Sequence, residues 1–337
     1  MQTEEREYDL IWTRLAPTLL GFKEAALACD LWFREKDGRP DPTRKLQERV
    51  SDLARVLNEQ IGVDAPGCAE AKEQVGVRMR GELLPYLLLS GHAARCYTKP
   101  RGYAGDYQAI AWFYEDNARG DGDLGRALDR AFLELPSSRA VKNRRELMTR
   151  QIRATLQEVA PRPAKVTSLA CGPAQEVLDI LAELPDPSHL QSTLVDFDEE
   201  ALAHVGKSLT AMGKPDGARL LQENLISLAT GRAETDLVDQ DLVYSIGLID
   251  YFDDALVVSL VNVVHRMLRL GGRILLGNFH PRNTTRALMD HVFDWRLIHR
   301  DEHDLDRLLQ TSAFGRPATR MLSEPLGVNL FAECTKT

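Results

Sequence analysis

The stretch Lys165–Glu176, KVTSLACGPAQE, constrains the fold of this chain more than any other. Val166–Ala170 reads as a short buried strand, Cys171-Gly172-Pro173-Ala174 as a tight turn, and from Gln175 the residues Val177, Leu178, Ile180 and Leu181 recur as one helical apolar face. A strand, a small-residue turn and a helix start in that order predict backbone N–H groups aimed at a ligand.

After residue 164 the same texture repeats. Strands are expected at Ser192–Val195, Ala218–Leu221, Leu242–Ser245, Arg273–Phe279 and Val328–Glu333. Helices are expected at Gln175–Leu184, Glu199–Met212, Ala255–Leu268, Thr284–Phe293 and Asp304–Thr311. That alternation predicts an α/β fold with a doubly wound, mostly parallel sheet and helices on both faces. In such sheets the ligand lies outside the carboxyl ends of the strands, where the strand order reverses.

Residues 1–160 read as an all-helical cap, with 161–337 as the sheet domain and Pro161-Arg162-Pro163 as the linker. Leu10, Leu15, Leu19, Phe22, Ala26 and Leu27 form a first apolar face, which Asp37-Gly38-Arg39-Pro40 interrupts. Leu46, Val50, Leu53, Val56 and Leu57 form a second, and Glu82–Leu89 belongs to a third despite Pro85. Further helices are expected at Gln108–Asn117, Leu124–Glu134 and Ser138–Val159, the last capped by Ser137 or Ser138. Arg144, Arg145, Arg150 and Arg153 read as its solvated face. The loop from Tyr97 to Tyr107 departs from this pattern: it is glycine-punctuated yet carries three tyrosines and the cations Lys99 and Arg101.

The formal net charge of -8 disfavours a nucleic-acid or anionic-membrane partner. No apolar run is long enough to span a bilayer, and the acidic start MQTEEREYDL is unlike a signal peptide. Five scattered cysteines without CxxC spacing point to reduced thiols in a cytoplasm and to no metal site.

The strand ends carry the chemistry. Ala170, Gly172 and Ala174 follow the first strand; Asp196 and Asp198 follow the second, Asp196 standing 24 residues beyond Gly172, where an acid meets a ribose diol. Asn224 follows the third strand as an amide for an adenine edge, and Ser245-Ile246-Gly247 follows the fourth. Leu270-Gly271-Gly272 reads as the turn into the fifth. Two alanines in place of glycines crowd a pyrophosphate, so the turn favours a nucleoside without phosphates.

Taken together, SLACGPAQE, LVDFD, ENLISL, DLVYSIGLIDYF and LRLGGRILLGNF resemble successive motifs of the class I S-adenosylmethionine (SAM)-dependent methyltransferases. The whole chain is similar to a bacterial subgroup with a helical N-terminal domain and a KPRGYAGDY-type loop, which includes enzymes of 3-hydroxy fatty acid methyl ester formation; a helical domain also precedes the catalytic one in chemotaxis-receptor methyltransferases. The resemblance implies SAM as cofactor and a small-molecule acceptor, such as one of secondary metabolism, bound between cap and sheet domain. It implies that Ala170, Gly172 and Ala174 line the methionine and ribose side, and that Asp196, or else Asp198, holds the ribose. Asn224 and Leu225 would then border adenine, with Ser245, Ile246 and Gly247 beneath the sulfonium. Glu176 either stabilises its helix N-terminus or receives the cofactor's amino group.

Methyl transfer from a sulfonium is an in-line displacement whose rate comes from alignment and the exclusion of water. The Tyr97–Tyr107 loop is the candidate lid. In it Arg101 is a carboxylate clamp for cofactor or acceptor, and Tyr103 and Tyr107, with Trp112 or Tyr114, offer ring faces to a cationic sulfur. An amine acceptor needs a base, for which Asp250, Tyr251 and His280 are candidates; a carboxylate acceptor needs a cation such as Arg296 or Arg300. Two other functions share these residues: displacement within SAM, releasing methylthioadenosine and a cyclic amino acid such as azetidine-2-carboxylate, and a non-catalytic SAM-binding regulatory module.

Overall fold

The structure, a computed structural model, describes residues 2–35 and 40–337, so the break read at Asp37-Gly38-Arg39 lies outside the described residues. The chain divides into two units, one made of residues up to Arg139 together with Asn283–Arg296, the other of Ala140–Arg282 with Leu297–Thr337.

The first unit holds helices α1 (Gln2–Glu35), α2 (Thr43–Ile61), α3 (Ala69–Leu87), α4 (Gly91–Thr98), α5 (Tyr107–Glu115) and α6 (Gly122–Leu133), and the first turn of α7 (Pro136–Val159). On α1 the buried face is Ile11, Leu15, Leu19, Phe22, Ala26 and Cys29. Leu10 and Leu27, expected on that face, are 51% and 58% exposed. The segment Asn283–Arg296, expected as a helix of the sheet domain, instead forms a short π-helical turn, Leu288–Val292, and packs among the N-terminal helices. Phe293 meets Phe132 edge to face at 5.3 Å, Arg80 Nε donates to the His291 carbonyl at 2.9 Å, and Lys99 Nζ pairs with Asp294 at 2.9 Å. These long-range contacts explain why periodicity placed the segment wrongly: its apolar residues are spaced like a helix, but their partners lie more than a hundred residues upstream.

The second unit begins at Ala140, inside α7, and not at the Pro161-Arg162-Pro163 punctuation. Leu147, Met148, Ile152 and Val159 of that helix belong to the core on one face of the sheet, so its apolar stripe binds it to the strands. The helix starts at Pro136, which places Ser138 inside it; its hydroxyl makes no hydrogen bond among the described residues and does not cap.

The strands are β1 (Ala164–Leu169), β2 (Leu190–Asp196), β3 (Ala218–Gln222), β4 (Gln240–Ser245), β5 (Leu268–Phe279), β6 (Arg320–Ser323) and β7 (Asn329–Thr335). They form one sheet of order β3-β2-β1-β4-β5-β7-β6, parallel throughout except for β7, which runs antiparallel to β5 and β6. The doubly wound, mostly parallel α/β expectation is borne out. The turn expected at Leu270-Gly271-Gly272 lies within β5, as an irregularity in its pairing with β4, and Gly271 takes a positive φ there.

Helices α8 (Gln175–Glu183) and α9 (Glu199–Ala211) join α7 on one face, while α10 (Leu225–Ala229), α11 (Asp254–Met267) and α12 (Glu302–Thr311) cover the other. Strands β1, β2 and β4 are buried along nearly their whole length, as a strand covered on both faces must be. The chain winds outward through β1, β2 and β3, then returns to lay β4 beside β1. The order therefore reverses between β1 and β4, and the site is expected above that gap.

Candidate active site

At the end of β1 the backbone enters the left-handed region three times, at Ala170 (φ 53°), Gly172 (φ 52°) and Ala174 (φ 47°). These are the small residues of the turn, and the two alanines hold a conformation that glycine adopts at no steric cost. The turn is fixed from beside it. Asp196, at the end of β2, is buried; its Oδ2 accepts from Gly172 N at 2.9 Å and its Oδ1 from Asp198 N at 3.0 Å. Burial raises its pKa from the ordinary value, and the backbone N–H groups of Asp198, Gly172 and Phe197 oppose that shift. Because the left-handed form costs an alanine roughly 1 kcal/mol and glycine loses a similar amount to unfolded-chain entropy, Ala170→Gly is expected to leave the urea midpoint within a narrow margin of wild type. A large drop would mean that the Ala170 methyl is a packing contact and the turn is not strained.

Asp198 caps α9, accepting from Glu200 N at 3.0 Å. Asn224 caps α10 through Oδ1, accepting from Ile226 N and Ser227 N at 2.9 and 3.3 Å, while Leu225 is buried beneath it. The oxygen of Asn224 is thus spent locally, and only its amino group remains for a ligand edge. Between the two acids stands Phe197, 57% exposed at the end of β2. A large aromatic ring presented to solvent beside a buried acid is a platform for a flat ligand. Phe197 is not among the residues expected at the site, although an aromatic residue between two acids directly after a strand is a signal visible in the sequence.

Ser245 ends β4 fully buried, with its hydroxyl unpartnered among the described residues. Ile246 and Gly247 follow, half-buried. Gly277 of β5 is pressed against them: a Cβ there would stand 2.3 Å from the Ile246 carbonyl. At Gly247 a Cβ would stand 2.8 Å from Nη1 of Arg144. Arg144 is therefore no part of a solvated face. It is 6% exposed and shares the apolar stripe of α7 with Met148 and Ile152, at four-residue steps. Arg145, one step round the helix, is the half-exposed partner of Asp179 at 2.7 Å.

Glu176 is buried at the start of α8, where its Oε1 accepts from the Tyr244 hydroxyl at 2.7 Å. Burial raises its pKa, against that hydrogen bond and the charge of Arg144. Asp250 is buried in the short 3-10 turn after β4, and its Oδ1 accepts from Phe279 N at 2.7 Å. Burial pushes its pKa up from 3.8 to about 6, against the Phe279 N–H and the charges of Arg144 and Arg300. A native acid that holds its proton more tightly than the unfolded chain stabilises the fold most below pH 3.8, and that contribution is lost as pH rises through about 6. Asp250→Asn keeps the acceptor for Phe279 N and removes this dependence. Its stability relative to wild type should therefore rise between pH 4 and pH 7, by up to about 3 kcal/mol. Urea titrations at several pH values test this, and a difference that does not change with pH would refute it.

The remaining candidates divide. Arg101, Tyr103 and Tyr107 lie in the first unit, with the Arg101 guanidinium over the Tyr107 ring at 5.4 Å. Arg95 organises their loop through two bonds to buried Asp106, at 3.0 and 2.7 Å, and Asp106 also caps α5. His280 has both ring nitrogens engaged, Nδ1 by Arg282 N at 2.9 Å and Nε2 by Glu302 at 3.1 Å, so no nitrogen is left to act as a base. Arg296 is paired with Glu73 and Asp294 inside the first unit. Arg300, 2% exposed, spends its guanidinium on Asp254, the Ile249 and Phe252 carbonyls and Asn278, which leaves nothing for an acceptor. Cys171 is buried and its thiol is pushed well above its usual range by that burial, consistent with a small residue in a turn and not a nucleophile.

No helix among the described residues is long and apolar enough to cross a membrane. No curated protein matches the chain. A Bordetella parapertussis protein described as a "possible exported protein" shares the fold at a TM-score of 0.60 and 18% identity, over 89% of this chain and 98% of that one. The CurJ carbon methyltransferase does so at a TM-score of 0.50 and 13% identity, over 89% and 72%. A Synechocystis magnesium protoporphyrin IX methyltransferase, solved with bound S-adenosylhomocysteine, aligns at a TM-score of 0.49 and 12% identity, over 72% and 98%. Residues 102–327 match the sequence profile of a family described as "Putative methyltransferase". That match takes in more than half of the chain, including the left-handed turn, Asp196 and the end of β4, and the chain belongs to this methyltransferase family.

Proposed function

We propose that the protein binds SAM above the β1/β4 gap and transfers its methyl group to a small-molecule acceptor carrying a carboxylate or an amine. One observation carries the reading: the left-handed turn after β1 is bonded through Gly172 N to the buried acid that ends β2. A turn of small residues held against an acid suits a ribose and its sulfonium side chain. The buried acids Glu176, Asp196 and Asp250 suit a cationic ligand and oppose a pyrophosphate.

When bound, SAM supplies an activated methyl group on a sulfonium. The acceptor's lone pair would displace the sulfur at that carbon, with the C–S electrons left on sulfur. Asp196 would hold the ribose, Phe197 would lie against the adenine with the Asn224 amino group at its edge, and Ser245 with Gly247 would form the floor. Asp250 is the group suited to take a proton from an amine acceptor, since burial has brought its pKa to about 6. The enzyme is assigned to a reducing cytoplasm, which its five unpaired cysteines support.

Incubation with SAM and a bacterial metabolite extract, with nucleoside products followed by mass, tests the reading. S-adenosylhomocysteine is expected. Methylthioadenosine would replace methyl transfer by displacement within SAM, and turnover to neither by a protein that binds SAM would make it a binding module.

A further inference from the structure

Arg144 is a buried cation whose Nε has no hydrogen-bond partner among the described residues. The two acids that feel its charge spend their hydrogen bonds elsewhere, Glu176 on Tyr244 and Asp250 on Phe279. Two residues before Gly247, against which Arg144 packs, the Ser245 hydroxyl is also fully buried and unpartnered. Leaving a guanidinium Nε–H and a hydroxyl buried without a hydrogen bond is costly, so their retention implies a group that meets them.

Their place in the sheet says which group. Asn224, Asp196, the Ala170–Ala174 turn and Ser245–Gly247 end four neighbouring strands in the order β3, β2, β1, β4. Strands lie about 4.8 Å apart, so β4 stands about 10 Å from the ribose acid on β2. A nucleoside anchored at Asp196 therefore reaches β4 with its amino-acid end. There the protein offers both signs: the Arg144 guanidinium packs against Gly247, and the carboxyls of Glu176 and Asp250 lie within its field. A zwitterionic α-amino acid head carries both complements on one carbon.

We propose that Arg144, assisted by the Ser245 hydroxyl, binds the α-carboxylate of SAM and of S-adenosylhomocysteine through its planar fork. This rests on the cofactor reading above and makes α7, which precedes the sheet, a contributor to the cofactor site.

The test is calorimetric binding of S-adenosylhomocysteine and of methylthioadenosine, which lacks the amino-acid head, to wild type and Arg144→Met. The variant should lose S-adenosylhomocysteine affinity by ~100-fold, the scale of a charge-assisted pair, and bind methylthioadenosine within a few-fold of wild type. Equal S-adenosylhomocysteine affinity in both proteins overturns the role of Arg144 and leaves the cofactor reading standing. A wild type that binds neither nucleoside overturns the cofactor reading and this role with it. Should the methionine variant lose both nucleosides through misfolding, Arg144→Lys decides: retained methylthioadenosine binding with weakened S-adenosylhomocysteine binding supports the assignment, and unchanged binding of both rejects it.

Discussion

Asp196→Ala should weaken SAM binding by at least tenfold and lower the unfolding free energy by about 3 kcal/mol, because the carboxylate has two tasks. It accepts from Gly172 N and from Asp198 N, and so ties the turns after β1 and β2 together. Alanine leaves both N–H groups without an acceptor in a site where Asp196 is only 5% exposed. The turn it holds contains two alanines in the left-handed region, so a released turn relaxes away from the ligand-ready shape. Urea titration and calorimetry with S-adenosylhomocysteine separate the two tasks. Asp196→Asn keeps an acceptor oxygen and should recover much of the stability but less of the affinity. A variant with wild-type values in both measurements would remove Asp196 from the site and leave Asp198, already a helix cap, as the other acid.

Arg300→Ala should be the most destabilising of the substitutions considered, at about 3–5 kcal/mol. The guanidinium joins the 3-10 turn after β4 to the end of β5, donating to the Ile249 and Phe252 carbonyls and to Asn278 Oδ1, with Asp254 as its counter-charge. Removing it strands three buried acceptors and loosens the turn that carries Asp250. Lysine offers a point charge where a fork is needed, so Arg300→Lys should recover only a fraction. The check is the urea midpoint of both variants. A lysine variant as stable as wild type would show that charge and not geometry is what the turn requires.

These two residues mark how far the sequence can be read. Asp196 was legible because its role follows from spacing along the chain: an acid after a strand, a fixed distance beyond a small-residue turn. The strands were legible for the same reason, except β6, whose residues are exposed or half-exposed at the sheet edge and lack the buried run that betrays the others. Arg300 was read as a possible acceptor cation, since nothing linear announces that five donors converge on one turn. Arg144 was misread for a different reason. Its neighbours in the string are charged, but helix geometry puts it in register with Met148 and Ile152, and counting in fours would have found it. The left-handed alanines were seen as a departure from a glycine pattern; that they adopt the glycine conformation is settled by backbone geometry alone.

The segment from Asn283 to Arg296 sets an order on synthesis. Although most of the first unit leaves the ribosome first, it lacks Phe293 for Phe132 and the His291 carbonyl for Arg80 until strands β1 to β5 have all been made. The packing of its helices is therefore completed only after the sheet has been translated through its middle. The N-terminal unit is begun first and completed after five strands of the second, which makes the nascent chain, more than the finished protein, the form most in need of chaperone cover.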